Sequence, residues 1–177
     1  RRDRPAAIMR LHAGFHPPES PFPAAKVVDW ISVPLGVATL RDQFNDVEDD
    51  AARYALMSWY FEENLSEFAP YKDAQSREGF QIVGTSGTVT TVAASHLGLR
   101  RYDRTKVDGL RMTSDQIEAV IGRYLEMGPA GRRRDPRIGQ DRQALIMSGA
   151  AILQALLRLW PTDRLSVADR GLREGLL

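Results

Sequence analysis

Hydrophobic and polar positions alternate in character along this chain in a way that divides it into a strand-rich first third and a second part of alternating strands and helices. Ile8 to Leu11 is a short apolar run that reads as a strand. GFHPPESPFPAAK follows, with four prolines in thirteen residues, and reads as an extended connection. VVDWISVPLGVATL is rich in β-branched residues and predicts a strand, with Pro34 marking an edge, a bulge or the strand's end. From Asp49 the period changes. Acidic residues lie at the start, and Ala52, Ala55, Leu56, Trp59, Tyr60 and Leu65 recur at helical spacing, predicting a helix that stops before Pro70.

Phe80 to Val83 predicts a buried strand, and Val89 to Leu97 a helix. Thr113-Ser-Asp-Gln116 has the form of a capping box, with Ile117, Val120, Ile121, Tyr124 and Leu125 as one stripe behind it. GPAGRRRDPRIGQ predicts a basic loop broken by glycine and proline. Arg142 to Trp160 predicts a long helix with Leu145, Ser148, Ala151, Ile152, Ala155, Leu156 and Leu159 facing inward. RLSVAD predicts a last strand and RGLREGLL the start of a last helix. The class is α/β, with a framework of order β-β-β-α-β-α around a mixed central sheet flanked by helices.

Length adds that 177 residues suffice for one domain with a real core. Net charge is +1, so the chain as a whole does not attract nucleic acid, and no specific nucleic-acid partner is expected; any anion site is local. There is no cysteine, which removes disulfides, thiolate metal sites and cysteine nucleophiles and fits a cytoplasmic protein. No apolar run reaches the roughly 20 residues that span a bilayer, so no membrane partner is expected. The basic start RRDRPAAIMRLHAG lacks the apolar core of a signal peptide, and without an initial Met the chain reads as a piece of a longer protein.

The chemistry concentrates in one turn. Gly84, Thr85, Ser86, Gly87 and Thr88 stand between two apolar segments with no charged residue among them. A strand, a glycine-rich turn and a helix expose backbone N–H groups at a helix N-terminus, a setting that favours phosphate. Two readings stay open on the residues alone. In one, the glycines let the backbone approach a phosphate or nucleotide and the hydroxyls add donors. In the other, the glycines supply a left-handed turn and the hydroxyls cap the next helix. The spacing matches neither the P-loop nor the dinucleotide-binding fingerprint. Arg132, Arg133, Arg134 and Arg137 form either a solvated loop or a contact for a polyanion. His12 and His16 are four apart, but Pro17 and Pro18 follow and no carboxylate sits at helical spacing, so no metal site is assigned. His96 reads as a core or capping histidine.

Four segments then occur in one known order. ISVPLGVATLRDQF, IVGTSGTVTTVAA, DRQALIMSGAAIL and VADRGLREGLL together resemble the second domain of the exopolyphosphatase/guanosine pentaphosphate phosphohydrolase (Ppx/GppA) family, from about Val27 to the C-terminus. The resemblance implies a ribonuclease-H-like domain of the actin, sugar-kinase and Hsp70 ATPase superfold. It implies a parent enzyme that releases terminal phosphate from inorganic polyphosphate or guanosine pentaphosphate by Mg²⁺-assisted attack of water. It places the Gly84–Thr88 turn on the cleft between two domains, the first being absent from this chain. The family's Asp-Ile-Gly-Gly-Gly-Ser type loop is replaced by RRDRPAA, and its Arg-Ala-Asp by Arg142-Gln143-Ala144, so no catalytic base is assigned and the chain alone is expected to be inactive. Arg173 and Glu174 are assigned to structure. A homodimer stays open. A non-catalytic nucleotide- or polyphosphate-binding or regulatory module of the same superfold is the alternative; a sugar-kinase-type transferase is disfavoured by SVPLG and DRGLREG.

Overall fold

The computed structural model describes residues 7–15, 24–65 and 71–169, with side chains from residue 32 onward. The expected helix at RGLREGLL, with Arg173 and Glu174, lies outside the described residues, as do RRDRPA, His16 and most of the proline-rich connection.

β1 (Ala7–Phe15) and β2 (Ala24–Val33) form an antiparallel hairpin whose register shifts between Leu11 and His12. The strand expected to continue to Leu40 instead ends at Val33, just before Pro34. Proline has no N–H for a ladder, and the chain turns there into a helix. Gly36 is the N-cap of α1 (Val37–Gln43), Leu40 N–H reaches the Gly36 carbonyl at 2.9 Å, and Leu40 is fully buried. The β-branched composition of the segment was therefore overruled by the burial of one leucine through a helical turn.

α2 (Asp50–Glu63) begins where the acidic run predicts. Asp49 caps it, accepting the Ala52 N–H at 2.7 Å. Its inward face differs from the expected one: Met57, Ser58 and Phe61 are buried, whereas Ala52, Ala55, Leu56 and Trp59 face outward. The helix carries two apolar stripes. The one that packs against α7 (Ile146–Leu159) is also held by polar bonds, Arg158 donating to Glu62 at 2.7 Å and to the buried Ser58 hydroxyl at 2.9 Å.

The second sheet has three strands in the order β3 (Ile82–Gly84), β5 (Leu165–Val167), β4 (Arg111–Met112), with β3 and β5 parallel and β4 antiparallel to β5. β3 is a half-exposed edge, with Val83 open to solvent, and not the buried strand its composition predicts. α3 (Gly87–His96) follows it and is buried from Val89 to Ser95; His96 is its last residue and half-buried. A short α4 (Arg104–Val107) leads to β4. α5 (Ser114–Glu126) carries the predicted capping box, Thr113 and Gln116 each bonding the other's backbone N–H, and buries Ile117, Val120, Ile121 and Tyr124. The glycine-broken basic segment is not a loop: it forms α6 (Gly128–Arg134), with Gly128 at φ +62° letting the chain reverse after α5 and Pro129 in the first turn.

α7 starts at Ile146 rather than Arg142, because Gln140–Arg142 is a 3₁₀ turn and Leu145 the N-cap. It is buried on nearly every side, from Ile146 to Leu153 and again at Ala155 and Leu157. Ile146, Ala150, Leu153 and Leu157 belong to a core with α3, α5 and the second sheet. Ala151, Ile152 and Ala155 belong to another with Val33, Leu40, Met57 and Phe61.

Within the first of these cores the Tyr124 hydroxyl pairs with Ser95 Oγ at 2.6 Å, and burial pushes the phenol up to about 12. An unfolded tyrosine ionises near pH 10. The group is raised in the fold, so its contribution is complete below pH 10 and is lost as pH rises toward 12. The melting temperature should fall over that window, and Tyr124→Phe should flatten the fall; an equal slope in the variant would refute this assignment.

Candidate functional site

Polar side chains gather at the carboxyl end of the parallel β3/β5 pair. In α/β folds the loops leaving such strands form ligand sites. β3 ends at Gly84, whose carbonyl accepts the Ala168 N–H at 2.8 Å, and α3 starts three residues later. Ser86 is its N-cap, accepting the Val89 N–H at 3.2 Å, and Thr90 N–H goes to the Ser86 carbonyl at 3.0 Å. The N–H groups of Gly87 and Thr88, in the first turn of a ten-residue helix, have no intrahelical acceptor. They sit at the positive end of its dipole.

The five turn residues do not all do what their types suggest. Neither Gly84 nor Gly87 has a positive φ, so the left-handed-turn account of these glycines is wrong. Gly84 is required by close approach to the buried Val89 side chain, whereas at Gly87 the crowding neighbour is the movable end of the Arg142 side chain. A Cβ on Gly84 would stand 2.8 Å from a Val89 methyl, and one on Gly87 would stand 2.6 Å from the Arg142 guanidinium. Thr88 packs its hydroxyl and methyl against Gly149 of α7, so that hydroxyl is turned into the protein. Thr85, Ser86 and Gly87 are the exposed members of the turn.

The turn is uncharged in sequence but not in space. Arg142 reaches over it, donating to the Gly87 carbonyl, to Thr91 Oγ1 at 2.9 Å and to Thr90 Oγ1 at 3.2 Å. The two threonines in turn donate to the Gly87 carbonyl, at 2.7 Å from Thr91 and 3.2 Å from Thr90. The guanidinium itself is solvent-exposed, a positive charge beside the free amides. Next to it lies an exposed phenol, Tyr102, which donates to Asp169 at 2.7 Å; Arg104 also pairs with Asp169. In sequence Arg142 stands only as the first residue of a predicted helix and of an altered motif. Its 55-residue separation from Gly87 left no local signal for their contact, and nothing in sequence links Tyr102 to Asp169.

The four candidate polyanion arginines separate. Arg132 is buried, donating to Asp50 at 2.6 and 2.8 Å and to the Tyr124 carbonyl at 2.6 Å. Arg137 clasps Asp135, also buried, at 2.7 Å, a bond that lowers the Asp135 carboxyl below its ordinary range. Arg133 and Arg134 are exposed. The structure therefore gives Arg132 and Arg137 internal partners and leaves Arg133 and Arg134 on the surface.

Among the described residues no three His, Cys, Asp or Glu side chains converge as a metal site, and no helix is long and apolar enough to cross a membrane. The turn offers amides, hydroxyls and one guanidinium, a donor set that suits an anion and not a hard divalent cation, which takes carboxylate and carbonyl oxygens. The Mg²⁺ implied by resemblance is thus not matched by a cage in this part of the molecule.

Comparison with known proteins gives a consistent answer. The sequence matches the Ppx/GppA phosphatase family over residues 22–177. Among curated protein sequences no match was found. Among solved structures, the Ppx/GppA enzyme of Aquifex aeolicus superimposes with a TM-score of 0.72 at 30% identity, over 85% of this chain and 49% of that one. An exopolyphosphatase-like protein matches with a TM-score of 0.72 at 26% identity, over 85% of this chain and 50% of that one. An exopolyphosphatase from Cytophaga hutchinsonii, at 20% identity and a TM-score of 0.68, over 85% of this chain and 48% of that one, shares the fold. The chain spans about half the length of these structures. The fold is the expected α/β one, a ribonuclease-H-like domain of the actin-like ATPase superfold.

Proposed function

The chain belongs to the Ppx/GppA phosphatase family, and on that premise we propose that it is the second domain of a phosphohydrolase that releases terminal phosphate from inorganic polyphosphate or guanosine pentaphosphate. The observation that supports this reading most is the turn Gly84–Thr88, where unpartnered amides at the start of α3 stand beside the exposed Arg142 guanidinium. A phosphoryl group seated there accepts the N–H groups of Gly87 and Thr88 and meets the guanidinium. Charge-assisted bonds of this kind are about twice as strong as neutral ones. Thr90 and Thr91 hold Arg142 through their hydroxyls, and Gly87 leaves room for it.

The role of this half is then to bind and orient. Hydrolysis also needs a base for water and neutralisation of the phosphoryl oxygens, and Mg²⁺ would supply the second when bound. No residue described here is placed as the base. Both are assigned to a first domain across the cleft, since effective catalysis demands that reacting groups be held together within fractions of an ångström. The phosphate chain, the first domain and a cytoplasmic setting are parts of this same reading.

The test is phosphate release from polyphosphate and from guanosine pentaphosphate, measured on this chain and on the longer protein it is proposed to belong to. The chain alone should release little or none, and the longer protein should turn over. Turnover by the chain at the rate of the longer protein would overturn the assignment of catalysis to a second domain. Binding without turnover in the longer protein would favour a non-catalytic module.

A further inference from the structure

The Gly84–Thr88 turn leaves the carboxyl end of β3. At the amino end of the same strand a separate cavity of about 410 Å³ opens between residues 75–80 and residues 161–164, which lead into β5. β3 has three residues, so at about 3.3 Å per residue the two places lie roughly 10 Å apart along the strand. The walls are pinned from several sides. The Trp160 indole N–H donates to the Tyr71 carbonyl at 2.8 Å, the Ile82 N–H to the Arg164 carbonyl at 3.0 Å, and the Ser114 N–H to the Thr162 carbonyl at 2.9 Å. The volume falls within the ~300–1,000 Å³ of small-molecule sites.

Three exposed charged side chains line this space, Arg77, Arg164 and Asp163. Among the described residues none of the three is in an ion pair. Two cations and one anion therefore share a cavity without neutralising one another. A fourth polar group in the wall is Gln75. Its Oε1 is buried and has no hydrogen-bond partner, which holds for no other buried side-chain oxygen or nitrogen among the described residues. A buried acceptor without a donor bears its full desolvation cost. The terminal torsion of a glutamine is soft, so this oxygen can turn toward a donor placed in the cavity. Phe80, half-buried, and Pro161 give the wall its apolar part.

We propose that this cavity binds a dicarboxylic α-amino acid, of the glutamate or aspartate type. Such a ligand carries two carboxylates and one ammonium group, the mirror of two guanidinium groups and one carboxylate. Arg77 and Arg164 each take a carboxylate, for which the planar guanidinium fork is suited. The ammonium group goes to Asp163 and to the turned Gln75 Oε1, and the methylene groups lie against Phe80. A linear polyphosphate offers acceptors alone along its chain, which gives Gln75 Oε1 no donor and meets repulsion from Asp163. A neutral amino acid leaves one guanidinium without a partner. The site shares no residue with the Gly84–Thr88 turn, and the inference does not rest on the function proposed for that turn.

The experiment is titration of the ¹⁵N-labelled 177-residue chain with L-glutamate, L-aspartate, L-glutamine and glutarate, read by NMR amide shifts. The tighter of glutamate and aspartate should bind saturably, with a dissociation constant of ~1 mM or below. It should shift the Gln75 side-chain amide and the backbone amides of Gly79, Phe80, Asp163 and Arg164, but not those of Gly87 and Thr88. Glutamine, which lacks the second carboxylate, and glutarate, which lacks the ammonium group, should each bind at least ~10-fold more weakly, about 1.4 kcal/mol. Arg77→Ala and Arg164→Ala should each weaken the amino acid by a similar factor, and Asp163→Asn should do so without weakening glutarate. Arg100→Ala, exposed and outside the cavity, should bind as wild type. Gln75→Leu, which removes the orphaned acceptor, should melt no lower than wild type and bind the amino acid more weakly. No saturable binding of either dicarboxylic amino acid, shifts centred on the turn, or glutarate as tight as glutamate overturns the site. So does unchanged affinity in Arg77→Ala and Arg164→Ala. Pyrophosphate that shifts the same amides and displaces the amino acid overturns it as well, and marks a plain anion site.

Discussion

Replacing Arg132 by leucine should lower the melting temperature of this chain by roughly 6–12 °C. Its guanidinium is buried and makes three bonds at once, two to Asp50 at the start of α2 and one to the Tyr124 carbonyl in the last turns of α5. Leucine fills part of the volume but leaves a carbonyl without a donor and a carboxylate without a partner. Breaking one side of a buried pair costs about 3–5 kcal/mol. Asp50 keeps some access to water, its side chain being 24% exposed, so the low end, about 3 kcal/mol, is the better figure, and each kcal/mol moves the midpoint of a domain this size by about 2–4 °C. Arg132→Lys should cost less, retaining the charge but not the two-pronged fit to Asp50. Thermal melts of the two variants check the ranking. If Arg132→Leu melts within ~2 °C of wild type, the bonds seen here contribute little and α6 is held by its other contacts.

The second large effect is expected at Gly149. No glycine conformation is needed there; the space in front of its Cα is filled by the Thr88 side chain, whose methyl and Cβ would stand 2.9 and 3.0 Å from an added Cβ, with the hydroxyl nearer still. Thr88 is β-branched and lies in the first turn of α3, so it has little freedom to move aside. Gly149→Val should therefore cost about 3 kcal/mol, the upper end for overpacking, despite the small gain of helix propensity on losing a glycine. The strain falls on the turn, so pyrophosphate binding should weaken in any fraction that folds. Thr88→Gly in the same chain should restore most of the stability. Melting and binding measured on the single and double variants decide it; a single variant as stable as wild type would show that α3 and α7 can separate freely.

These two residues also show how far the sequence could be read. The capping box at Thr113 and the acidic start at Asp49 are local devices, each decided by neighbours within four residues, and each is where the pattern puts it. The inward face of α2 was not legible. Two stripes of similar hydrophobicity compete on it, and Met57 and Phe61 prevail because α7 offers them a surface and Arg158 a polar anchor, facts about a helix a hundred residues later. The basic run around Arg132 read as solvated because charge and glycine are surface signals on average; the carboxylate that buries Arg132 stands 82 residues away. In the candidate site, the phosphate-type turn was visible as a strand–glycine–helix sequence. Its charge was not, since Arg142 arrives from the far side of α6. Nor was the reason for its glycines, which is contact within the protein rather than backbone handedness.

The burial of α7 on nearly all sides has a consequence for how the molecule comes apart. A helix that lines only one core can peel away with that core while the rest stays folded. This one supplies residues to both hydrophobic clusters from different faces, Ile146, Ala150 and Leu153 to one and Ala151, Ile152 and Ala155 to the other. Neither cluster can open without exposing the helix that the other is built on. The hairpin-side and sheet-side halves are therefore coupled into a single cooperative unit, and the backbone amides of α7 should be the last in the molecule to exchange with solvent.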